Sequence, residues 1–204
     1  MKIEFESKGR SAGPPPRADS LVQTGKVRTM DMQITDTLTE TLRFGVGETT
    51  LGAVLVAESE RGVAAILLGD DQDRLERDLR DAFPTARLVN DQAGLTETVA
   101  KAVALVDAPH LGTDLALDLR GSPLELAVWA ALRAIPSGET RTYGAIAKTL
   151  PMPATAQDVG AACAANRVAV AVPCHRVVKA DGSISGYRWG VPRKRRLINM
   201  EGVA

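Results

Sequence analysis

Cys174 and His175 stand side by side in the run VPCHRV, residues 172–177. A cysteine does chemistry as its thiolate, and a neighbouring imidazole or cationic group lowers the thiol pKa toward neutrality and makes the sulfur a nucleophile. Arg176 adds positive charge next to the pair. Side chains adjacent on an extended strand point to opposite faces, so Cys174 and His175 can cooperate only where the chain turns. Pro173 stiffens the approach, lacks a backbone donor and closes the apolar run VAVAV, which makes a turn plausible there. Taken alone, the pair fits equally a buried cysteine acting as a small hydrophobe beside a helix-capping histidine.

The elements that must position this run lie on both sides of it. TLRFGVG, LGAVLVAE and VAAILLGD read as antiparallel strands separated by glycine-containing turns. DDQDRLERDLRDAFP places Leu75, Leu79 and Phe83 on one stripe of a charged helix, and a second helix over 95–106 carries Leu95, Val99 and Val103. Leu115, Leu117 and Leu119 alternate as in a half-buried strand, and the pattern changes at Gly121. Pro123 opens a helix to about residue 134, with Val128, Trp129 and Leu132 on its buried side. A short helix over 143–149 ends before Pro151 and Pro153, and a small-residue helix over 155–165 starts at an N-cap, Thr155. Two short helices joined by a tight, proline-marked turn fit a helix-turn-helix. VVKADGSISGY then reads as two strands around an Asp181-Gly182 turn, the wing of a winged helix, and Pro192 starts a last helix to about residue 201. SAGPPPRADS has no apolar periodicity, and residues 1–35 read as a disordered extension.

The 204 residues carry no formal net charge, yet the charge is divided. Residues 129–204 hold 11 Lys and Arg against 4 Asp and Glu, and residues 1–128 hold the remaining 14 basic and 21 acidic side chains. A basic C-terminal part beside an acidic N-terminal part suggests that only the former faces a polyanion. Cys163 and Cys174 are too few for a disulfide framework, and with His110 and His175 as the only imidazoles a structural zinc is not expected. No apolar stretch reaches the ~20 residues of a membrane span, and the charged N-terminus does not read as a signal peptide, so a reducing cytoplasm is the simplest compartment.

AANRVAVAVPCHRVVKADGSISGYRWGVPRKRRL closely resembles the active-site region of the methylated-DNA–protein-cysteine methyltransferases, in the form found in bacterial adaptive-response regulators. VWAALRAIPSGETRTYGAIA and, more loosely, VAESERGVAAILLGDD extend the likeness from about residue 40 to the C-terminus. With the elements above it implies a fold: an α/β N-terminal subdomain over 36–121, ribonuclease H-like with an antiparallel sheet and helices, then a winged helix-turn-helix α+β domain over 122–204. It implies a stoichiometric, irreversible transfer of the alkyl group from O6-alkylguanine, and from O4-methylthymine, in double-stranded DNA to Cys174. No cofactor or metal is implied, and the chain would act as a monomer away from membranes.

The resemblance also implies roles. Cys174 is the acceptor; His175 takes its proton through a water; Glu201 holds and charge-balances the imidazole. Asn166 braces the strand leading to the cysteine, and Tyr143 donates to the guanine oxygen or its leaving group. Backbone groups of Val172 and Cys174, with Tyr187 and Arg188, line the base pocket, while Gln157, Arg167 and Arg176 complete the substrate- and DNA-facing set. Each position has a plainer use: Glu201 a solvated carboxylate, Tyr143 a core residue, Asn166 a helix C-cap. Cys163 reads as packing, and Trp129 and Trp189 as structural. One departure stands out. The family usually has an arginine nine residues before the asparagine, filling the gap left by the flipped base, and here that position is Gln157, which can hydrogen-bond but lacks the guanidinium's charge and stacking face.

The chemistry suits these parts. A soft thiolate attacks an alkyl carbon in line, a tyrosine hydroxyl stabilises the departing oxygen, and the buried base is first extruded from the stack. Two other readings compete: an adaptive-response-type transcriptional regulator or damage sensor that binds DNA through its helix pair, and a Cys-His hydrolase, which would want an oxyanion hole and an orienting Asn or Asp. The alkyl-transfer reading rests on the sulfur being ionisable and reachable by the extruded base.

Overall fold

Three apolar runs separated by short turns dictate the first layer. In the computed structural model, which describes residues 40–202, they form β1 (Thr41–Thr49), β2 (Gly52–Ser59) and β3 (Gly62–Gly69). These pair antiparallel, β1 with β2 and β2 with β3, as expected. The disordered extension read over 1–35 lies outside the described residues. A fourth strand, β4 (Arg87–Asn90), pairs parallel to β1 and gives the order β3-β2-β1-β4, so the sheet is mixed rather than wholly antiparallel. Its four residues are too few and too exposed to show a period in the sequence.

Both faces of the sheet are covered, which is why β2 and β3 read as nearly continuous apolar runs. Helix α1 (Gln72–Ala82) sets Leu75 and Leu79, with Phe83 just beyond it, against Leu42, Leu55 and Leu67. Helix α2 (Thr96–Asp107) packs Leu95, Val99 and Val106 on the opposite face, over Val54, Val56 and Ile66. It approaches β1 so closely that a Cβ at Gly47 would lie 2.8 Å from Val103, a gap that only glycine leaves open.

The second half adds α3 (Pro123–Arg133), the two-residue β5 (Arg141–Thr142), α4 (Tyr143–Ala147), α5 (Ala156–Ala165), β6 (Val177–Val178) and α6 (Val191–Met200). Ser122 and Glu125 form a reciprocal capping box on α3, and Thr155 and Asp158 form another on α5. Each N-cap contributes about 1 kcal/mol by satisfying otherwise orphaned backbone N–H groups. The Trp129 indole donates to the Ala162 carbonyl at 2.8 Å, locking α3 to α5 through a buried polar contact. Helix α4 is two residues shorter than the sequence suggests, and 148–155 link it to α5, a longer connection than the tight turn expected. The expected wing is reduced to β6, which pairs parallel with β5, and a single antiparallel bridge from Val178 to Ile184.

The free edge of β3 is where the halves meet. Val63 exchanges backbone bonds with 116–118, and Ile66 with 167–169, each at 2.8–2.9 Å. The leucine alternation at 115–119 is therefore a docked extended segment with one bridge, not an independent strand. Covering an edge in this way removes a template for aggregation and fixes the backbone that leads to Cys174. One buried cluster, including Ile66, Val106, Trp129, Val159, Val172 and Leu197, runs through both halves. Among the described residues, no helix is long and apolar enough to cross a membrane.

Candidate active site

Asn166 ends α5 and governs the approach to the cysteine. Its Oδ1 accepts from the Val168 amide at 2.8 Å, and its Nδ2 donates to the Val172 carbonyl at 3.0 Å and to Cys174 Sγ at 3.3 Å. It is more than the helix cap a plain reading allows. Between these contacts Val170 takes φ 64, a left-handed conformation that costs a β-branched residue about 1–3 kcal/mol and persists only where its surroundings enforce it. A 3-10 turn, Cys174–Arg176, follows at once. The turn removes the strand alternation that would have set Cys174 and His175 on opposite faces, and both side chains are buried, at 3% and 0% exposure.

The surroundings of the thiol overturn two expectations. The sulfur was expected to be open to an incoming base, and it is not, because Asn166 and the turn tuck it into the core. It was also expected to be acidified by its neighbours. Burial instead pushes its pKa up to about 11, against the opposing pull of the Asn166 hydrogen bond and the Lys194 charge. In this state the thiol is protonated. Cys163, the second thiol, is pushed up by burial to about 12 and packs on α5, as the sequence suggests.

Glu201 lies at the C-cap of α6, and its side chain is buried rather than solvated. His175 Nε2 pairs with its Oε1 at 3.0 Å. The Arg176 guanidinium grips the same carboxylate through Nε at 3.0 Å and Nη2 at 2.8 Å, and gives Nη1 to the Ile135 carbonyl at 2.5 Å. Although burial pushes the Glu201 pKa up, the hydrogen bonds from His175 and Arg176 outweigh it and hold the carboxyl at about 2. Burial lowers the His175 pKa against the pull of Glu201, so the ring is neutral at neutral pH, with Nδ1 facing no hydrogen-bonding protein group. Arg176 is 8% exposed and committed to this network. It is therefore not a DNA-facing residue, contrary to the sequence reading, since its charge balances Glu201.

The remaining candidates divide. Tyr143, the first residue of α4, is half-buried, and its hydroxyl lies 2.6 Å from Ser185 Oγ. Tyr187 packs edge-on against Trp189, with ring centroids 5.2 Å apart, and its buried hydroxyl has no partner among the described residues. Arg188 is exposed and donates to the Ala164 carbonyl at 2.9 Å. The Val172 carbonyl already accepts from Asn166 and from the Cys174 amide. Gln157 is exposed on the first turn of α5. Arg167 lies apart from the others, its guanidinium 5.1 Å over the Phe83 ring, lining a cleft beside α1.

Sequence reasoning missed Ser185 and Lys194. Lys194 sits in VPRKRR, which reads as a solvated basic run, yet it is fully buried. A signal was available: Lys194, Leu197, Ile198 and Glu201 fall at i, i+3, i+4 and i+7, the buried face of α6.

Fold and site together define a class: a cysteine-centred protein whose thiol is braced by an asparagine and flanked by a buried histidine–glutamate–arginine network. The model of the family described as 6-O-methylguanine DNA methyltransferase, DNA binding domain, matches residues 123–203. The inducible methylated-DNA–protein-cysteine methyltransferase of Bacillus subtilis is 32% identical over 158 residues, 78% of this chain and 83% of that protein. The bifunctional transcriptional activator/DNA repair enzyme Ada of Escherichia coli is 43% identical over 160 residues, but the chain spans only 45% of its length. A crystal structure of Mycobacterium tuberculosis OGT in complex with DNA superposes with a TM-score of 0.65 at 31% identity, over 78% of this chain and 92% of that one. The chain belongs to the methylated-DNA–protein-cysteine methyltransferase family.

Proposed function

We propose that this chain repairs O6-alkylguanine in duplex DNA by moving the alkyl group onto Cys174, once per molecule. The observation that carries this reading is the buried Cys174 thiol, bonded to the Asn166 amide and followed in the same 3-10 turn by the His175 and Arg176 that close on Glu201. The sulfur forms a bond to the alkyl carbon as the carbon–oxygen bond of the base breaks; the thiol proton passes to His175, the guanine takes one proton from Tyr143, and the imidazolium's proton returns to the tyrosinate through water, so that one proton in all moves from sulfur to base. Because burial keeps the thiol protonated at rest, ionisation accompanies base entry instead of preceding it. Neutral His175 is the group that accepts the proton, through water at Nδ1, and Glu201 stabilises the imidazolium that forms. Tyr143 donates to the departing base.

The burial of Cys174 sets a requirement on access. The exposed residues 186 and 188 flank Tyr187, and both Tyr187 and Arg188 lie within electrostatic reach of the thiol. This segment moves aside when the flipped base enters. Helices α4 and α5 with 177–184 act as a helix-turn-helix with a short wing, α5 facing the DNA with Gln157 at its leading end, beside a ribonuclease H-like N-terminal half. Phosphate contacts from the basic half hold DNA without reading sequence, which suits a search for damage at any position. A thiol that is used once is best kept in a reducing cytoplasm.

Incubation of the chain with a duplex carrying O6-methylguanine, followed by peptide mass analysis, tests the reading. The Cys174 peptide should gain one methyl in place of one hydrogen, and Cys174→Ser should bind the duplex but gain nothing. Tight binding of damaged duplex with an unchanged Cys174 peptide would favour the damage-sensor alternative and end this proposal.

A further inference from the structure

Lys194 is the most unusual side chain in the core. It is fully buried, and among the described residues no carboxylate pairs with it. An ammonium taken out of water costs several kcal/mol unless its protons are satisfied. Two are held firmly, by the Val177 carbonyl at 2.5 Å and Ser185 Oγ at 2.8 Å, and the third weakly, by the Gly186 carbonyl at 3.4 Å.

Donor and acceptor bookkeeping gives this contact a direction. An ammonium only donates, so Ser185 Oγ accepts from Lys194. The serine then has one proton to give. One acceptor within reach is the Tyr143 oxygen at 2.6 Å. The other is the Val177 carbonyl at 3.4 Å, too long for a good O–H···O bond. Ser185 Oγ has a second lone pair, but accepting from an ammonium polarises its O–H and makes it the stronger donor, and the 2.6 Å contact to Tyr143 is the short one. In that arrangement the phenol oxygen accepts and its own proton stays free for a group arriving beside Cys174. We infer that Lys194 is a positioning residue for alkyl transfer, acting through Ser185 to orient the Tyr143 hydroxyl as a donor to the leaving base. The inference rests on the proposed function and assigns a polarity to its proton donor.

The consequence is specific. With Lys194 replaced by an apolar side chain, the serine loses that polarisation, the phenol as the stronger acid donates to Ser185 Oγ, and its proton is captured. Single-turnover transfer from an O6-methylguanine duplex is the assay, with folding followed by chemical denaturation. Lys194→Met should slow transfer tenfold or more, within the range by which general acids act, with duplex binding unchanged. Adding Ser185→Ala removes the competing acceptor and should restore at least threefold of the loss. In a Tyr143→Phe background Lys194→Met should slow transfer at least threefold less than it does with Tyr143 present, the remainder being the lost pull of the Lys194 charge on the thiol. A Lys194→Met Ser185→Ala chain slower than either single variant, or an undiminished Lys194→Met effect in the Tyr143→Phe background, would overturn the inference. Should Lys194→Met fail to fold, Ser185→Ala decides: it leaves the phenol proton free, so a loss under fivefold is expected and a larger one refutes the polarity. The unsubstituted chain separates the two levels. If it takes no methyl, the function fails; if it does and the variants behave otherwise, only the role of Lys194 fails.

Discussion

Glu201→Ala removes a carboxylate that meets His175 and Arg176 in the core, three residues from the C-terminus of the sequence. Arg176 would be left buried with the Ile135 carbonyl as its remaining partner. Removing one member of a buried ion pair costs about 3–5 kcal/mol, because the surviving charge is left uncompensated. The Glu201 carboxyl, held at about 2 against 4.5 by those same two partners, agrees in sign. For a chain of this size the loss lowers Tm by about 10 °C. The sign of the pH effect follows. A depressed carboxyl contributes fully above about pH 4.5, and its contribution is lost as the pH falls toward 2. His175, whose pKa burial lowers below 6.5, adds a loss that begins as the pH drops through that value. Urea denaturation of both proteins from pH 7 to pH 3 tests this. The unsubstituted chain should lose stability steeply below pH 4.5, and Glu201→Ala should start lower and lose less over the same window. A difference under about 1 kcal/mol at pH 7, with parallel acid limbs, would mean that the carboxylate is solvated and the network does not exist.

Two further outcomes are expected. Asn166→Ala leaves the buried Val168 amide without its partner and deletes the bond to the thiol, which should cost about 2–3 kcal/mol in urea denaturation and slow the reaction of Cys174 with a small thiol reagent at fixed pH. Gln157→Arg restores a charge on the exposed leading turn of α5 and should speed repair in duplex DNA more than in single strands; an equal change in both would show that the position takes no part in extruding the base.

Local chemistry made much of this protein legible from its sequence. The capping residues Ser122 and Thr155, the stripe of Leu75 and Leu79, and the Pro123 start are short-range signals, and the helices begin where they point. The turn at Pro173 was legible for the same reason, since an apolar run that meets proline cannot continue as a strand. Other features depend on partners distant in the chain. β4 exists because β1 offers it an edge, and the alternating leucines at 115–119 became a docked segment because β3 was already there. The direction in which a charge points is likewise decided by packing: Arg176 and Lys194 look like surface cations in one dimension, and only α6 lying across the cysteine turn encloses them. The thiol's protonation state follows the same logic. Sequence places an imidazole and a guanidinium beside Cys174, but the fold turns both to Glu201, and desolvation of the thiol outweighs the Asn166 hydrogen bond and the Lys194 charge that oppose it.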